Sequence, residues 1–156
     1  MRLPQQGMGL PGQVVVGVDG SPNSMEALRH ALKRAAERGA GVEMIYVIPA
    51  DADLAAVTAA YAMLDAAAHC MAASGLCVHN ARQTVVCGDP AEVLVKRSVD
   101  SQLLFIGGGL HSEHGGSLLG GDVVPYVLGH AACPVNICAD QRIPRAAARP
   151  GLASQN

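Results

Sequence analysis

Apolar residues along this chain fall into five short runs separated by longer segments with helical periodicity. The runs are rich in Val, Ile and Leu and are bounded by Gly, Asp or Pro, which is typical of strands in a buried sheet. They lie at Val14–Val18, Val42–Ile48, about Arg82–Cys87, Leu103–Ile106 and Val135–Cys138. The pattern therefore predicts five strands.

Helix signals occupy the segments between these runs. Ser21 is placed to cap a first helix, which Gly39 ends. An apolar stripe from Leu54 to Met71 predicts a long second helix, and we interpret the stripe as core, with a partner surface as the alternative. Asp89 opens a third helix through a capping box, and a fourth is expected from about Asp122 to Ala131.

Strands that alternate with helices imply βαβ units, right-handed crossovers and helices on both faces of a sheet. We therefore predict an α/β fold, with a single doubly wound, mainly parallel five-stranded sheet spanning residues 13–140. Residues 1–12 and 141–156 lack hydrophobic periodicity and are expected to be flexible tails.

Composition narrows the classes of partner. Half of the residues are apolar but only 3% are aromatic, so aliphatic side chains must fill the core. The net charge of -2 and the lack of a dense Lys/Arg run disfavour nucleic acid and anionic membranes as partners. We see no membrane-spanning stretch and no secretory signal near Met1, so we expect a cytoplasmic protein.

The five cysteines form an odd set without CxxC spacing. We expect them to be reduced and mostly buried, as small hydrophobic residues. The segment from His111 to His114 suggests a metal site, but its spacing matches no zinc motif, so we interpret it as a solvated loop and expect no metal. No Walker loop, nucleophile elbow or HExxH motif is present, and we therefore expect no catalytic residues and no enzyme activity.

Ligands of doubly wound sheets bind beyond the carboxyl ends of the strands. Four connections follow strand ends here: Asp19–Ser21, Val47–Pro49, Gly88–Asp89 and the loop Gly107–Gly121, which holds seven glycines and no Lys or Arg. Asp19 has two open interpretations, because a carboxylate at a strand end can bind a ligand or accept amide hydrogen bonds from the next turn.

Four segments in chain order resemble the signatures of the universal stress protein family. They are Val14-Val15-Val16-Gly17-Val18-Asp19-Gly20-Ser21, Tyr46-Val47-Ile48-Pro49, Gly88-Asp89-Pro90-Ala91 and His130-Ala131-Ala132-Cys133-Pro134-Val135. The resemblance implies a site for an adenine nucleotide, ATP with Mg being the candidate cofactor. It implies that Asp19 contacts the sugar-phosphate part and that backbone groups of Val47 hold the adenine edge. Glycine amides in such a site bind phosphate oxygens. The candidate nucleotide-binding residues are Asp19, Gly20, Ser21, Val47, Gly88, Gly107, Gly108, Gly109, Gly120, Gly121 and Asp122.

ATP-binding members of the family carry a phosphate motif of Gly, two residues, Gly, nine residues, then Gly-Ser or Gly-Thr, and this chain departs from it. When the motif is aligned from Gly107, Leu110 stands in place of the second glycine and Gly121 in place of the hydroxyl residue. When it is aligned backwards from Cys133, His111 replaces the second glycine and Asp122 replaces the hydroxyl residue. Carboxylates at Asp122 and Glu113 oppose a polyanion. We therefore expect a stress-response or regulatory protein with a degenerate nucleotide site. The alternative is a genuine ATP-binding, weakly ATP-hydrolysing member.

We expect the last predicted strand to form the dimer interface; it consists of Val135, Asn136, Ile137 and Cys138. An unpaired edge strand is a liability, and the resemblance implies that two such strands pair across a two-fold axis. We therefore predict a homodimer, which Asn136→Pro would weaken by removing a ladder donor.

Overall fold

A computed structural model describes residues 12–108 and 123–139 of the chain. Five strands and four helices alternate through these two ranges. In chain order they are β1 Gln13–Gly17, α1 Pro22–Arg38, β2 Val42–Ile48, α2 Leu54–Ala73, β3 Ala81–Cys87, α3 Pro90–Ser98, β4 Ser101–Gly107, α4 Val123–His130 and β5 Val135–Cys138.

The five strands form one sheet in the order β3-β2-β1-β4-β5, and all four neighbouring pairs are parallel. The chain winds outward from β1 to β3, then crosses back to β4 on the other side of β1. This reversal beside β1 is the topological switch point of a doubly wound sheet. The predicted fold class is confirmed.

Two apolar clusters cover the two faces of the sheet. One joins α1 and α2 to the sheet through Leu28, Leu64 and Met71, which pack with Val14, Val16 and Met44. The other joins α3 and α4 to the opposite face, where Leu94 and Val127 pack with Val15, Ile45 and Val47. Successive side chains of a strand point to opposite faces, which explains why Val14 and Val15 belong to different clusters.

The predicted helix ends carry the caps that their residues suggest. Ser21 Oγ accepts a hydrogen bond from the Ser24 amide at 3.2 Å, and Gly39 ends α1 with φ of 65°. Asp89 Oδ2 accepts a hydrogen bond from the Glu92 amide at 3.0 Å at the start of α3. Asp53, which the sequence analysis did not identify, caps α2 in the same manner through the Ala56 amide.

Helix α2 buries a narrower face than its apolar stripe suggests. Leu64 and Met71 lie in the core, but Leu54 is 78% exposed and Tyr61 is 42% exposed, so interpreting the whole stripe as core is wrong at those two positions. By length and composition α2 is the one helix of the described ranges that could cross a membrane, which corrects our expectation that no segment qualifies. A single such helix is weak evidence, and α2 connects two strands of the sheet.

The cysteines contradict the expectation that most are buried. Cys70, Cys77 and Cys87 are exposed, whereas Cys133 and Cys138 are half-buried. Cys70 lies on the outer face of α2, and Cys87 is the last residue of the edge strand β3. Burial raises the pKa of the Cys133 thiol, and burial together with the nearby charge of Glu26 raises the pKa of Cys138 to about 11.

Candidate functional site

The candidate site lies where the parallel strands end, at one edge of the sheet. Seven of the predicted residues meet at this edge: Asp19, Gly20, Ser21, Val47, Gly88, Gly107 and Gly108. The other four, Gly109, Gly120, Gly121 and Asp122, lie outside the described residues, as do Leu110, His111 and Glu113. The structure therefore describes the half of the site that β1, β2, β3 and the end of β4 provide.

Asp19 connects β1 to the first turn of α1. Its Oδ1 accepts a hydrogen bond from the Ser21 amide at 2.9 Å, and its own amide donates to Ser24 Oγ at 3.2 Å. Ser24 is fully buried, and its hydroxyl also donates to the Ser21 carbonyl at 3.0 Å. Of the two interpretations of Asp19, the geometry supports the turn, and ligand binding stays a prediction.

Two glycines at this edge have steric reasons for their identity. Gly20 has φ of 86°, a left-handed conformation that other residues rarely adopt. Gly107 lies against the start of α1, where a Cβ atom would be 2.5 Å from the Asn23 carbonyl carbon and the Ser24 amide nitrogen. The packing of β4 against α1 thus accounts for Gly107 without a ligand.

Two amides that a phosphate group could use are engaged within the protein. The Gly88 amide donates to the Ile48 carbonyl at 2.9 Å, and the Gly108 amide donates to the Cys138 carbonyl at 2.9 Å. A ligand oxygen would have to displace a protein acceptor from each of these donors, which removes most of the energetic gain.

A narrow gap lies between the ends of β1 and β2 and the start of α3. Its walls include Val18, Asp19, Tyr46, Val47 and Leu94. The side chains close together so tightly that a water molecule does not fit. The Val47 side chain is only 4% exposed. The gap belongs to the packed interior of the domain.

Within residues 12–108 and 123–139, no three His, Cys, Asp or Glu side chains lie close enough together to bind a metal ion. His111, Ser112, Glu113 and His114 lie outside these ranges, and the interpretation of that segment as a solvated loop stays a prediction.

The sequence analysis did not identify the buried carboxylate of Glu43. Glu43 on β2 is 4% exposed and accepts a hydrogen bond from Thr84 Oγ1 at 2.9 Å. The guanidinium groups of Arg82 and Arg97 lie 3.4 and 3.2 Å from its Oε2. Glu43 lies at the amino end of β2, away from the candidate site, and its partners indicate a structural role. Two features of the sequence were available as signals: Glu43 interrupts an otherwise apolar run, and polar residues alternate at Arg82 and Thr84.

A model of the universal stress protein family matches residues 12–138. The chain belongs to the universal stress protein family. This confirms the resemblance carried by the four segments that contain Asp19, Val47, Gly88 and Cys133.

Solved structures of the family share the fold. A universal stress protein in complex with cAMP is 29% identical, with a TM-score of 0.64, covering 83% of this chain and 97% of its own. A family protein from Burkholderia pseudomallei is 26% identical, with a TM-score of 0.57, covering 84% and 98%. One from Archaeoglobus fulgidus in complex with dAMP is 22% identical, with a TM-score of 0.65, covering 81% and 97%, and shows the fold alone. No curated protein matches the chain.

Proposed function

We propose that this universal stress protein acts in the cytoplasm as a non-catalytic stress-response or regulatory protein whose adenine-nucleotide site is degenerate. The observation that carries the proposal is that polar groups described at this edge are engaged within the protein: the Asp19 carboxylate with the Ser21 amide, and the Gly88 and Gly108 amides with carbonyl groups. A ligand would have to displace these partners before it gained hydrogen bonds of its own.

The phosphate end of the site supports the same proposal. The amides of Gly88 and Gly108 are already bonded to carbonyl groups, so they offer little to a phosphate. The sequence contains no Lys or Arg between Arg97 and Arg142, while it places Glu113 and Asp122 in the glycine-rich segment. A polyanion with Mg would therefore meet carboxylates where binding sites usually supply cations.

The alternative is a genuine ATP-binding, weakly ATP-hydrolysing universal stress protein. It is favoured by the relative at 29% identity whose structure contains cAMP, because a bound adenine nucleotide shows what this fold can hold. Under this alternative the glycines from Gly107 to Gly121 supply enough amides to outweigh the carboxylates.

A homodimer is part of the proposal. Strand β5 lies at the edge of the sheet and pairs only with β4 within the described chain. Ile137, in the middle of β5, is 41% exposed although it is a large apolar residue. Pairing with β5 of a second copy would cover both the unpaired backbone groups and this side chain.

Analysis of the purified protein distinguishes the two functions. The protein is denatured after gel filtration, and the supernatant is examined for released nucleotide by absorbance and mass spectrometry. A degenerate site predicts far less than one equivalent of nucleotide per chain and no phosphate release from added Mg-ATP. Stoichiometric adenine nucleotide, or steady phosphate release, would overturn the proposal in favour of the alternative.

A further inference from the structure

A cavity of about 340 Å³ lies between α1 and the edge strand β5, on the face of the sheet that α1 covers. This volume is at the lower end of the range for sites that bind small molecules. None of the residues that line the cavity belongs to the candidate nucleotide site. The cavity is therefore a separate space that the proposed function does not use.

One wall of the cavity is a side of α1. His30, Lys33, Arg34 and Glu37 line this wall, and their spacing of three, four and seven residues places them on one face of the helix. All four residues are exposed, so this face is distinct from the face of α1 that packs against the sheet. The helix thus presents three basic side chains and one carboxylate to the cavity.

The charges on this wall do not cancel. His30 Nε2 lies 3.0 Å from Glu26 Oε2, and Arg34 Nε lies 3.3 Å from Glu37 Oε1, so both carboxylates have partners. Lys33 has no hydrogen-bond or ion-pair partner among the described residues. A guanidinium group has five N–H donors and one carboxylate engages only some of them, so Arg34 retains donors for a ligand.

The floor of the cavity is formed by β4 and β5. Phe105 and Asn136 are partners in the pairing of these strands, and Cys138 lies two residues further along β5, so the three side chains share the face that α1 covers. Phe105 is buried and apolar. The Asn136 side chain makes no hydrogen bond with another described residue. Burial and the charge of Glu26 raise the pKa of Cys138 to about 11, so its thiol adds no negative charge at neutral pH.

We propose that this cavity binds a small phosphomonoester, with Lys33 and Arg34 holding the phosphate group and Asn136 donating a further hydrogen bond. The planar guanidinium group matches the spacing of phosphate oxygens, and the ammonium group adds a point charge. The organic part of the ester lies against Phe105 and Cys138, which inorganic phosphate is too small to cover. Strand pairing uses backbone groups in the plane of the sheet, whereas the cavity lies over its face, so the site is compatible with the proposed homodimer.

Calorimetric titration of the full chain at pH 7 with phenyl phosphate and with inorganic phosphate tests the proposal. We expect phenyl phosphate to bind saturably and at least about threefold more tightly than inorganic phosphate. The two lysines of the chain, Lys33 and Lys96, provide a matched pair. Lys33→Met should weaken the binding of phenyl phosphate about threefold to fivefold, and Lys96→Met on α3 should leave it unchanged. Lys33→Arg keeps the charge and should retain the binding.

Lys33 is exposed, so its substitution should leave the fold intact, and Arg34→Gln is a second variant that should also weaken binding. Absence of saturable binding, equal affinity for the two anions, or an equal loss in Lys33→Met and Lys96→Met would overturn the proposal. Binding that Lys33→Met leaves unchanged would overturn it too, since phenyl phosphate would then bind elsewhere. Phenyl phosphate has no adenine and Lys33 lies outside the nucleotide site, so this proposal and the proposed function can fail separately.

Discussion

The carboxylate of Asp19 accepts a hydrogen bond from the Ser21 amide at 2.9 Å. This bond closes the turn through which β1 enters α1, and the Asp19 amide completes the turn by donating to the buried Ser24 hydroxyl. The residue that the family resemblance assigns to a nucleotide thus also has a structural role in the turn.

Substitution of Asp19 separates the two roles. Asp19→Ala removes the acceptor and should lower the free energy of unfolding by about 1 kcal/mol. Asp19→Asn keeps an oxygen in the same place and should be nearly as stable as the wild type, because asparagine closes the same turn. Chemical denaturation measures both. An alanine variant as stable as the wild type would show that the turn does not depend on this carboxylate.

The contact of Gly107 with α1 predicts a destabilising substitution. In Gly107→Ala the new methyl group would lie 2.5 Å from the Asn23 carbonyl carbon and 2.5 Å from the Ser24 amide nitrogen. Both are backbone atoms, which cannot rotate out of the way as a side chain can. We expect a loss of at least about 1–3 kcal/mol, as for other overpacked positions.

Gly129→Ala is the matched control for Gly107→Ala. Gly129 lies in α4, and among the described residues no atom beyond its chain neighbours and its own helix backbone lies within 4 Å of the position of an added Cβ atom. Alanine is the better helix former, so this variant should be unchanged or more stable by up to about 1 kcal/mol. Thermal and denaturant unfolding measure the pair. Equal stability of the two variants would contradict the close approach of β4 to α1.

The direction of the backbone groups along β5 decides which proline substitution tests the dimer. The Leu104 amide donates to the Pro134 carbonyl, and the Gly108 amide donates to the Cys138 carbonyl. Alternate residues of a strand direct their backbone groups to the same neighbour, so Asn136 also faces β4. Ile137 directs its backbone groups away from the sheet. The choice of Asn136 for a proline substitution is therefore wrong, since that change would break the sheet within one chain.

Ile137→Pro is the substitution that removes an outward donor. Proline is tolerated on an edge strand where its nitrogen faces away from the sheet, so the chain should still fold. We expect light scattering to give a dimer for the wild type and mainly monomer for Ile137→Pro. Ile137→Ala, which keeps the amide, should retain more dimer. A wild type that stays monomeric at high concentration, or a dimer unaffected by the proline, would contradict pairing through β5.

The sequence predicted the order and type of every described element because local signals and packing agree in this fold. The run at Val14 and the cap at Ser21 lie within one residue of their observed positions. Burial at individual positions was harder to predict. Cys77 lies between Leu76 and Val78, which pack partly buried against the core, yet Cys77 itself is exposed.

The site was only partly predictable for a related reason. The sequence predicted that Asp19, Val47 and Gly88 lie at one edge of the sheet, because each lies at or just after the end of a parallel strand. It did not reveal that the Gly88 amide donates to the Ile48 carbonyl or that the Gly108 amide donates to the Cys138 carbonyl. Both bonds depend on how strand ends from distant segments pair, which one-dimensional patterns do not encode.

Calorimetry with Mg-ATP tests the degenerate site most directly. For the wild type we predict a dissociation constant no tighter than roughly 100 μM. The double substitution His111→Gly with Asp122→Ser should tighten binding, because it restores a glycine and a hydroxyl and removes a carboxylate. Asp19→Ala should then weaken whatever binding the double variant gains. Low-micromolar binding by the wild type would contradict the central claim that this universal stress protein has a degenerate nucleotide site.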